Sequence, residues 1–295
     1  MGGEKININN IDHNITNFVD DSTNVISFKN HETMKKYLEN YFIILQKYYN
    51  INKVKLNNDK TKLTIIHKAS METLFKNFSF KAGNDIIKNK NSIKILGTII
   101  QNDLKLDKSI NKLSSQLHNR IFNIRKLTKY TDFKTRSKFL NGFVMGKINY
   151  MLPLYSTATK VNLNKLHMII TTAARAAIGD YCFRKSVKYI LDKCKWFDIY
   201  DLIKYSSLNI IHKSITRGKP PGLIGYFKNN NNQRSVKLLT TKYKPKTKKF
   251  LNFYVYKYFE IYKNLDNYIK LKSIIGFKKE IKQMLRAGTI PDTMD

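Results

Sequence analysis

The sequence predicts an α+β fold in which a mixed first part is followed by a helical remainder. The first part contains short runs of β-branched and aromatic residues separated by Asn, Asp and Gly, a pattern typical of hairpins. From about Lys108 onward, apolar residues recur at three and four positions, the spacing of a helix with one buried face. We therefore expect three regions: 1–105 with strands, a helical 106–180, and a helical 181–295 that contains a basic, Asn-rich loop at about 228–249.

The first hairpin is predicted at residues 15–28, where two β-type runs flank the adjacent Asp20 and Asp21. Asp is common in turns because its short side chain bonds nearby backbone groups, so an Asp-Asp turn has an ordinary structural interpretation. Adjacent carboxylates are also suitable oxygen ligands for the Mg²⁺ pair of two-metal phosphoryl transfer. These residues alone leave both interpretations open.

The remaining elements of the first region follow in order. Residues 1–14 form a lead-in strand or loop, and Asn30 opens a helix that ends near Asn50. Further β-type segments bounded by turn-forming residues are predicted at 54–56, at 63–66, at 78–88 as a second hairpin, and at 93–100. Gly97 lies inside the last of these strands.

Helices are predicted to fill the rest of the chain. Their expected positions are 108–127, 133–152, 162–178, 185–194, 198–216 and 277–286. Pro153 is expected to stop the second helix, Asn162 to cap the third, and Gly179 to end it. The aromatic residues between Phe250 and Tyr262 fit either a core or a contact with unpaired bases, and a core is the commoner use of such residues.

The charge balance indicates a polyanionic partner. Lys and Arg number 54 against 21 Asp and Glu, which gives a formal net charge of +33. Nucleic acid would relieve the resulting self-repulsion through phosphate neutralisation and counterion release. An AT-rich coding sequence would raise the Lys content but would not explain the scarcity of acids. An anionic membrane surface is the minor alternative.

The cysteines and the hydropathy pattern favour an intracellular protein, in either cytoplasm or nucleus. Cys182 and Cys194 form no metal-ligand pattern with the six histidines, which indicates a reducing compartment and no structural zinc. No apolar run approaches the roughly 18 residues of a membrane span. The first residues also lack a signal-peptide core.

Several short motifs follow one another along the chain. They are Phe18-Val19-Asp20-Asp21, Val54-Lys55-Leu56-Asn57-Asn58-Asp59-Lys60-Thr61-Lys62, Ile93-Lys94-Ile95-Leu96-Gly97-Thr98-Ile99-Ile100, Tyr150-Met151-Leu152-Pro153-Leu154-Tyr155 and Gly218-Lys219-Pro220-Pro221. In this order they resemble the C-terminal part of the reverse transcriptases of non-LTR (LINE-type) retrotransposons. The first is similar to the aspartate pair of the family, the second to its palm Leu-Asn-x-x-Lys-Thr segment, and the third to its primer-grip strand. The last two fall where the family has its thumb and the following region. The resemblance extends from about residue 15 to 286.

The resemblance implies an RNA-directed DNA polymerase that acts on an RNA template and a DNA primer by two-metal nucleotidyl transfer. Asp20 and Asp21 would be catalytic and would ligate Mg²⁺. Lys60 would offset charge on the leaving pyrophosphate, although it is also an ordinary exposed turn lysine. Leu96 and Gly97 would place the primer terminus.

The resemblance also implies that region 106–180 is a thumb, which would hold the template-primer duplex by its phosphates. The cations assigned to this contact are Lys108, Lys112, Arg120, Arg125, Lys126 and Lys129. A solvated surface is the ordinary interpretation of one basic helix. It weakens here because the excess of cations continues across every helix.

The chain departs from the family pattern at its start. Only nineteen residues precede Asp20, whereas the family places its fingers and a first palm aspartate upstream. Glu4 and Asp12 do not match that earlier motif. We therefore expect an incomplete two-ion Mg²⁺ site and a polymerase fragment that works with a separate N-terminal half. The alternatives are a catalytically inactive, repurposed nucleic-acid-binding protein and a helical interaction protein with no nucleic-acid role.

Overall fold

The chain forms two compact units, Met1–Lys105 and Leu106–Asp295, each with its own hydrophobic core. The computed structural model describes residues 4–8, 11–18, 21–28, 30–54, 56–83, 85–228, 240–241 and 247–290. Helices predominate over short antiparallel sheets. The predicted α+β class is therefore confirmed.

The first unit begins with a three-stranded antiparallel sheet. Its strands are β1 (Glu4–Ile8), β2 (Ile11–Phe18) and β3 (Asp21–Ile26), in the order β1-β2-β3. In the register of β2 and β3, Phe18 pairs with Asp21. The described residues confirm the predicted first hairpin, and a strand lies within the predicted lead-in at 1–14.

The core of the first unit lies between a helix and a second hairpin. Helix α1 (His31–Ile51) is capped by the Asn30 side chain, which accepts a hydrogen bond from the backbone N–H of Glu32 at 3.0 Å. The helix packs on β4 (Ser79–Ala82), which pairs with β5 (Asp85–Lys88). The buried apolar side chains of this core are Met34, Leu38, Phe42, Ile65, Phe75, Phe80, Ala82 and Ile87. A short helix, α2 (Glu72–Lys76), precedes the β4–β5 hairpin. The hairpin predicted at 78–88 is confirmed.

Three predictions for the first unit are wrong. The strand expected at 93–100 is a third hairpin, β6 (Ser92–Ile95) with β7 (Thr98–Gln101). Its two central residues have positive φ, 46° at Leu96 and 88° at Gly97, the signature of a type I′ turn that reverses the chain. Val54 and Leu56 lie outside strands, and the run at 63–66 forms only an isolated bridge from Leu63 to Asn89. In the polar turn between these two runs, the backbone N–H groups of Lys60 and Thr61 donate hydrogen bonds to oxygens of Asn57 in the same turn.

The second unit is a helical assembly. Its helices are α3 (Asp107–Lys126), α4 (Phe133–Leu140), α5 (Gly146–Asn149), α6 (Lys160–Ile178), α7 (Val187–Cys194), α8 (Ile199–Arg217), α9 (Pro221–Ile224), α10 (Lys248–Leu251), α11 (Tyr254–Asn264), α12 (Asn267–Lys270) and α13 (Ile274–Ala287). Two short strands, β8 (Phe227–Lys228) and β9 (Thr240–Thr241), also pair. Helix α6 is central because α3, α4, α7 and α8 all pack against it. Its buried alanines, Ala173, Ala174, Ala176 and Ala177, present little bulk to these neighbours.

Two details of the predicted helices are wrong. The helix expected at 133–152 is interrupted by a π-helical segment, Asn141–Met145, and ends at Asn149. Pro153 lies instead near the start of a 3-10 turn, Leu152–Thr157, where its missing N–H is tolerated. Thr159, and not Asn162, caps α6, because its hydroxyl accepts from the Asn162 N–H at 3.3 Å.

Other predictions for the second unit are confirmed. Gly179 ends α6 in the left-handed conformation, with φ 83°. The aromatic residues of α11 are buried, namely Tyr254, Tyr256, Tyr258, Phe259 and Tyr262, so they form core.

Among the described residues, no helix is long and apolar enough to cross a membrane.

Candidate functional site

The β2–β3 hairpin presents one of the two predicted carboxylates. Asp21 is the exposed first residue of β3, whereas Asp20 lies outside the described residues. A carboxylate is the right ligand chemistry for Mg²⁺. Within the described ranges, no group of three or more His, Cys, Asp and Glu side chains is placed to hold a metal ion. Magnesium binding therefore stays a prediction that depends on Asp20 and Asp21.

Lys60 lies in an ordered turn and is exposed. Asn57 builds this turn, since its side-chain oxygen accepts from the Lys60 N–H at 3.1 Å and its backbone carbonyl accepts from the Thr61 hydroxyl at 2.9 Å. The turn is tied to β5 by a 2.6 Å hydrogen bond from Asn58 Nδ2 to Asp85 Oδ2. The backbone that carries Lys60 is thus fixed, and both interpretations of the side chain remain open.

The predicted primer-grip residues form the tip of the β6–β7 hairpin. Leu96 is 47% exposed and has a left-handed φ, which is uncommon for a bulky residue. A Cβ added at Gly97 would meet nothing within 4 Å. Strained, exposed backbone of this kind concentrates at functional sites. The tip is therefore an accessible contact surface.

Helix α3 presents a cationic face opposite its core face. Ile110, Leu117 and Ile121 are buried on one side of the helix. At 100° per residue, the exposed Lys112 and Lys126 fall on the opposite side, roughly 21 Å apart along the axis. Lys108 and Lys129 are exposed as well. The structure therefore brings four of the six predicted cations to positions that a phosphate backbone could reach.

Both arginines and one lysine of the predicted set contact other groups of the protein. Arg120 Nη1 donates to the carbonyl oxygen of Phe143 at 2.7 Å, which joins α3 to the π-helical segment. The Arg125 guanidinium lies 4.4 Å from the centroid of the Tyr181 ring. Lys126 Nζ lies 4.6 Å from the centroid of the Phe122 ring, and Lys126 is still exposed. The two arginine contacts are to residues distant in sequence, and periodicity gave no sign of them.

One electrostatic feature was missed in the sequence reasoning. The segment 133–179 contains no Asp or Glu. It carries exposed cations on α4, α5 and α6, namely Lys134, Lys138, Lys147 and Lys160. The absence of Asp and Glu from this long segment is visible in the sequence. It is the signal from which these exposed lysines could have been predicted. The helical unit therefore carries exposed cations beyond those of α3.

A groove of about 510 Å³ lies beside α7, α8 and α13. Its charged lining mixes acids with cations, namely Asp192, Asp198, Asp201, Lys188, Lys195 and Arg286. The Nδ1 atom of His167, which also lines it, is buried without a hydrogen-bond partner among the described residues. Mixed charge gives the groove no preference for a polyanion.

Comparisons with other proteins add no identification. No protein-family model, curated protein or solved structure matches the chain. The resemblance to LINE-type reverse transcriptases therefore rests on the sequence motifs, and the candidate residues are judged by their geometry. That geometry comprises an exposed carboxylate on one hairpin, an exposed tip on another, and a cationic helix face.

Proposed function

We propose that the chain is part of a LINE-type RNA-directed DNA polymerase whose helical unit binds nucleic acid through phosphates. The observation that carries the binding role is the exposed position of Lys112 and Lys126 on the face of α3 turned away from its core. Contacts of Lys to phosphate supply sequence-independent affinity and position the protein on the duplex. The acid-free segment 133–179 supports this role because it adds no repulsion toward a polyanion.

The palm role rests on two hairpins of the first unit, β2–β3 and β6–β7. Asp20 and Asp21 would hold Mg²⁺, which when bound neutralises charge on the nucleotide and activates the primer hydroxyl. The exposed tip at Leu96 and Gly97 would contact the primer backbone, where the absence of a Cβ on Gly97 allows close approach. Lys60 would offset charge on the leaving pyrophosphate.

A second candidate function is nucleic-acid binding without catalysis. It is favoured by the cationic face of α3, which needs no metal and is complete in the described residues. The two functions share their binding surface and differ in whether Asp20, Asp21 and Lys60 take part in catalysis.

Primer extension on an RNA template with Mg²⁺ separates the two functions. The purified chain is compared with the double variant Asp20→Asn, Asp21→Asn, and template-primer binding is measured at two salt concentrations on the same samples. The control is the double variant Asp192→Asn, Asp266→Asn, which makes the same change of net charge at exposed carboxylates of the helical unit.

Because the two-ion site is expected to be incomplete in this chain, we expect salt-sensitive binding by all three proteins, and extension only where a separate N-terminal polymerase half is added. With that half present, the wild type and the control should extend the primer, and the Asp20, Asp21 variant should lose extension but retain binding. Salt-sensitive binding without extension by any protein, with or without that half, would favour the non-catalytic function. Binding that does not respond to salt would overturn both.

A further inference from the structure

The loop between α6 and α7 is built on a buried ion pair. Arg175 Nη1 lies 2.6 Å from Asp180 Oδ2, and the two side chains are 12% and 8% exposed. Asp180 also accepts hydrogen bonds from the backbone N–H groups of Arg184 at 3.1 Å and Lys185 at 3.0 Å. Arg175 donates in turn to the Lys185 carbonyl at 3.1 Å. The loop is thus closed on one pair of side chains, and these hydrogen bonds fix its backbone.

The Asp180 carboxylate is held in its charged form. Burial acts to raise its pKa, but the N–H groups of Lys185 and Arg184 and the Arg175 guanidinium outweigh burial and hold the pKa below its ordinary value. Asp180 is also the only acid in the segment 180–188. The remaining charges of the loop, on Arg184 and Lys185, therefore give it a net positive surface.

This fixed loop presents an aromatic ring to solvent. Phe183 has φ 55° and is 73% exposed. A left-handed φ is strained for a bulky residue. The Arg175 guanidinium lies 4.6 Å from the ring centroid and backs one face. Because most of the side chain is still exposed, the other face is open.

The ring is surrounded by cations and joins the surface of α3. Arg184 and Lys185 follow Phe183 directly and are exposed. Tyr181, two residues before it, lies under the Arg125 guanidinium of α3. The loop therefore continues the cationic surface assigned above to phosphate binding.

We propose that this loop is a binding site for single-stranded nucleic acid, in which an unpaired base stacks on Phe183 while Arg184 and Lys185 neutralise the adjacent phosphates. An exposed ring on a rigid cationic loop suits this ligand because every base has a face that can stack on it, whereas the bases of a duplex are already paired and stacked. The proposal rests on the proposed nucleic-acid function and does not require catalysis.

The test compares a single strand with a duplex. Binding of a labelled oligouridine and of an RNA–DNA duplex of equal length is measured over a range of salt concentrations for the wild type, Phe183→Ala and the double variant Arg184→Gln, Lys185→Gln. Phe143→Ala is the matched control, since Phe143 is also an exposed phenylalanine of the helical unit, at 54%.

Phe183→Ala is expected to weaken oligouridine binding about 10-fold, the loss of one stacked base, with an unchanged salt slope. Its duplex affinity should stay within about 2-fold of the wild type, and Phe143→Ala should match the wild type on both ligands. The double variant should reduce the salt slope for the single strand by about 1.4, the value for two phosphates.

Two further substitutions keep the test decisive if Phe183→Ala disturbs folding. Phe183→Tyr should retain oligouridine binding and Phe183→Leu should lose it, because only the former keeps a ring. Equal binding by all Phe183 variants, with normal salt dependence, would overturn the stacking site and leave the proposed function standing. A wild type that binds neither ligand in a salt-dependent manner would overturn the proposed function itself.

Discussion

Arg136 Nε donates a hydrogen bond to the carbonyl oxygen of Ala177 at 2.9 Å, although only 7% of Arg136 is exposed. Its Nη1 atom donates to the carbonyls of Thr128, at 3.2 Å, and Thr131. One side chain of α4 thus satisfies carbonyls of the last turn of α6 and of the turn after α3. The Ala177 carbonyl belongs to the last turn of α6, where carbonyls have no partner within their own helix. Arg136 contributes to the basic composition of the chain, but it is therefore part of the core and not of the surface.

We predict that Arg136→Met lowers the free energy of unfolding by about 3 kcal/mol, because three carbonyls lose a charged donor in a buried setting. Urea unfolding followed by far-UV circular dichroism measures the change. Lys138→Met, at an exposed position of the same helix, is the control and should change stability by less than about 0.5 kcal/mol. An Arg136→Met variant as stable as its control would show that the carbonyls are satisfied in another way.

Elements whose apolar residues recur at a regular spacing were predictable from the sequence. Helices α3, α6 and α8 bury the apolar residues that recur at three and four positions, and the glycines after α6 and α8 end them. The turn at Leu96 and Gly97 was not predictable in this way, because the β-branched residues on both sides read as one uninterrupted run. The spacing of apolar residues along a segment indicates whether the segment forms a helix or a strand. It does not indicate where a strand ends in a turn and the chain reverses its direction.

The candidate site was predictable only in its exposed positions. Composition indicated cations on the surface of α3, and Lys112 and Lys126 lie there. Composition could not show that Arg120 bonds the Phe143 carbonyl or that Arg175 holds Asp180, because those partners come from tertiary packing. Phe183 was missed for the same reason, since that ion pair closes the loop on which Phe183 lies.

The hairpin tip gives a prediction in which stability and function move in opposite directions. Asn is favoured over Leu before Gly in a type I′ turn, so Leu96→Asn should stabilise the β6–β7 hairpin by about 0.5–1 kcal/mol. Amide hydrogen exchange of residues 92–101 should slow accordingly. If Leu96 contacts the primer as proposed, the same variant should weaken template-primer binding.

Leu104→Asn is the matched control for the tip. Leu104 also has a positive φ, 56°, and is 45% exposed, but it lies in the turn after β7. It should gain similar local stability without loss of binding. Unchanged binding by both variants would remove Leu96 from the nucleic-acid contact.

The cationic face of α3 gives a prediction about salt dependence. Lys112→Gln combined with Lys126→Gln should lower the slope of log affinity against log salt by about 1.5, because each phosphate contact contributes roughly 0.7 to 0.9. The loss should be similar for all duplex sequences, since phosphates carry no sequence information. Fluorescence anisotropy over a range of salt concentrations measures the slope.

Lys279→Gln with Lys282→Gln serves as the control for net charge, because both side chains are exposed on α13. This pair removes the same charge from another surface. A slope reduced equally by both double variants would show that net charge, and not the α3 face, governs binding.

His212 gives a prediction about pH. It lies on α8 with 1% exposure, stacked on Phe277 of α13 at a centroid distance of 3.9 Å, and its Nδ1 atom is 3.2 Å from the Tyr262 hydroxyl. Burial lowers the pKa of His212 below its usual 6.5, against a smaller opposing effect of the Lys272 backbone. The unfolded chain therefore takes up this proton before the folded chain does. The contribution of neutral His212 to stability is complete above pH 6.5 and is lost as the pH falls below that value.

We expect the free energy of unfolding to fall between pH 7.5 and pH 5.5 through His212, because the unfolded chain binds this proton more readily than the folded chain does. His212→Phe keeps a ring to stack on Phe277 and should show a correspondingly smaller fall. His118→Asn, at an exposed histidine of α3, is measured alongside as the control for removal of a histidine. The carboxylates of Asp132 and Asp180 do not interfere, because their pKa values are lowered and they titrate below this range. Urea unfolding at the two pH values measures the difference, and an equal fall in wild type and His212→Phe would show that His212 protonates as readily in the folded chain as in the unfolded one.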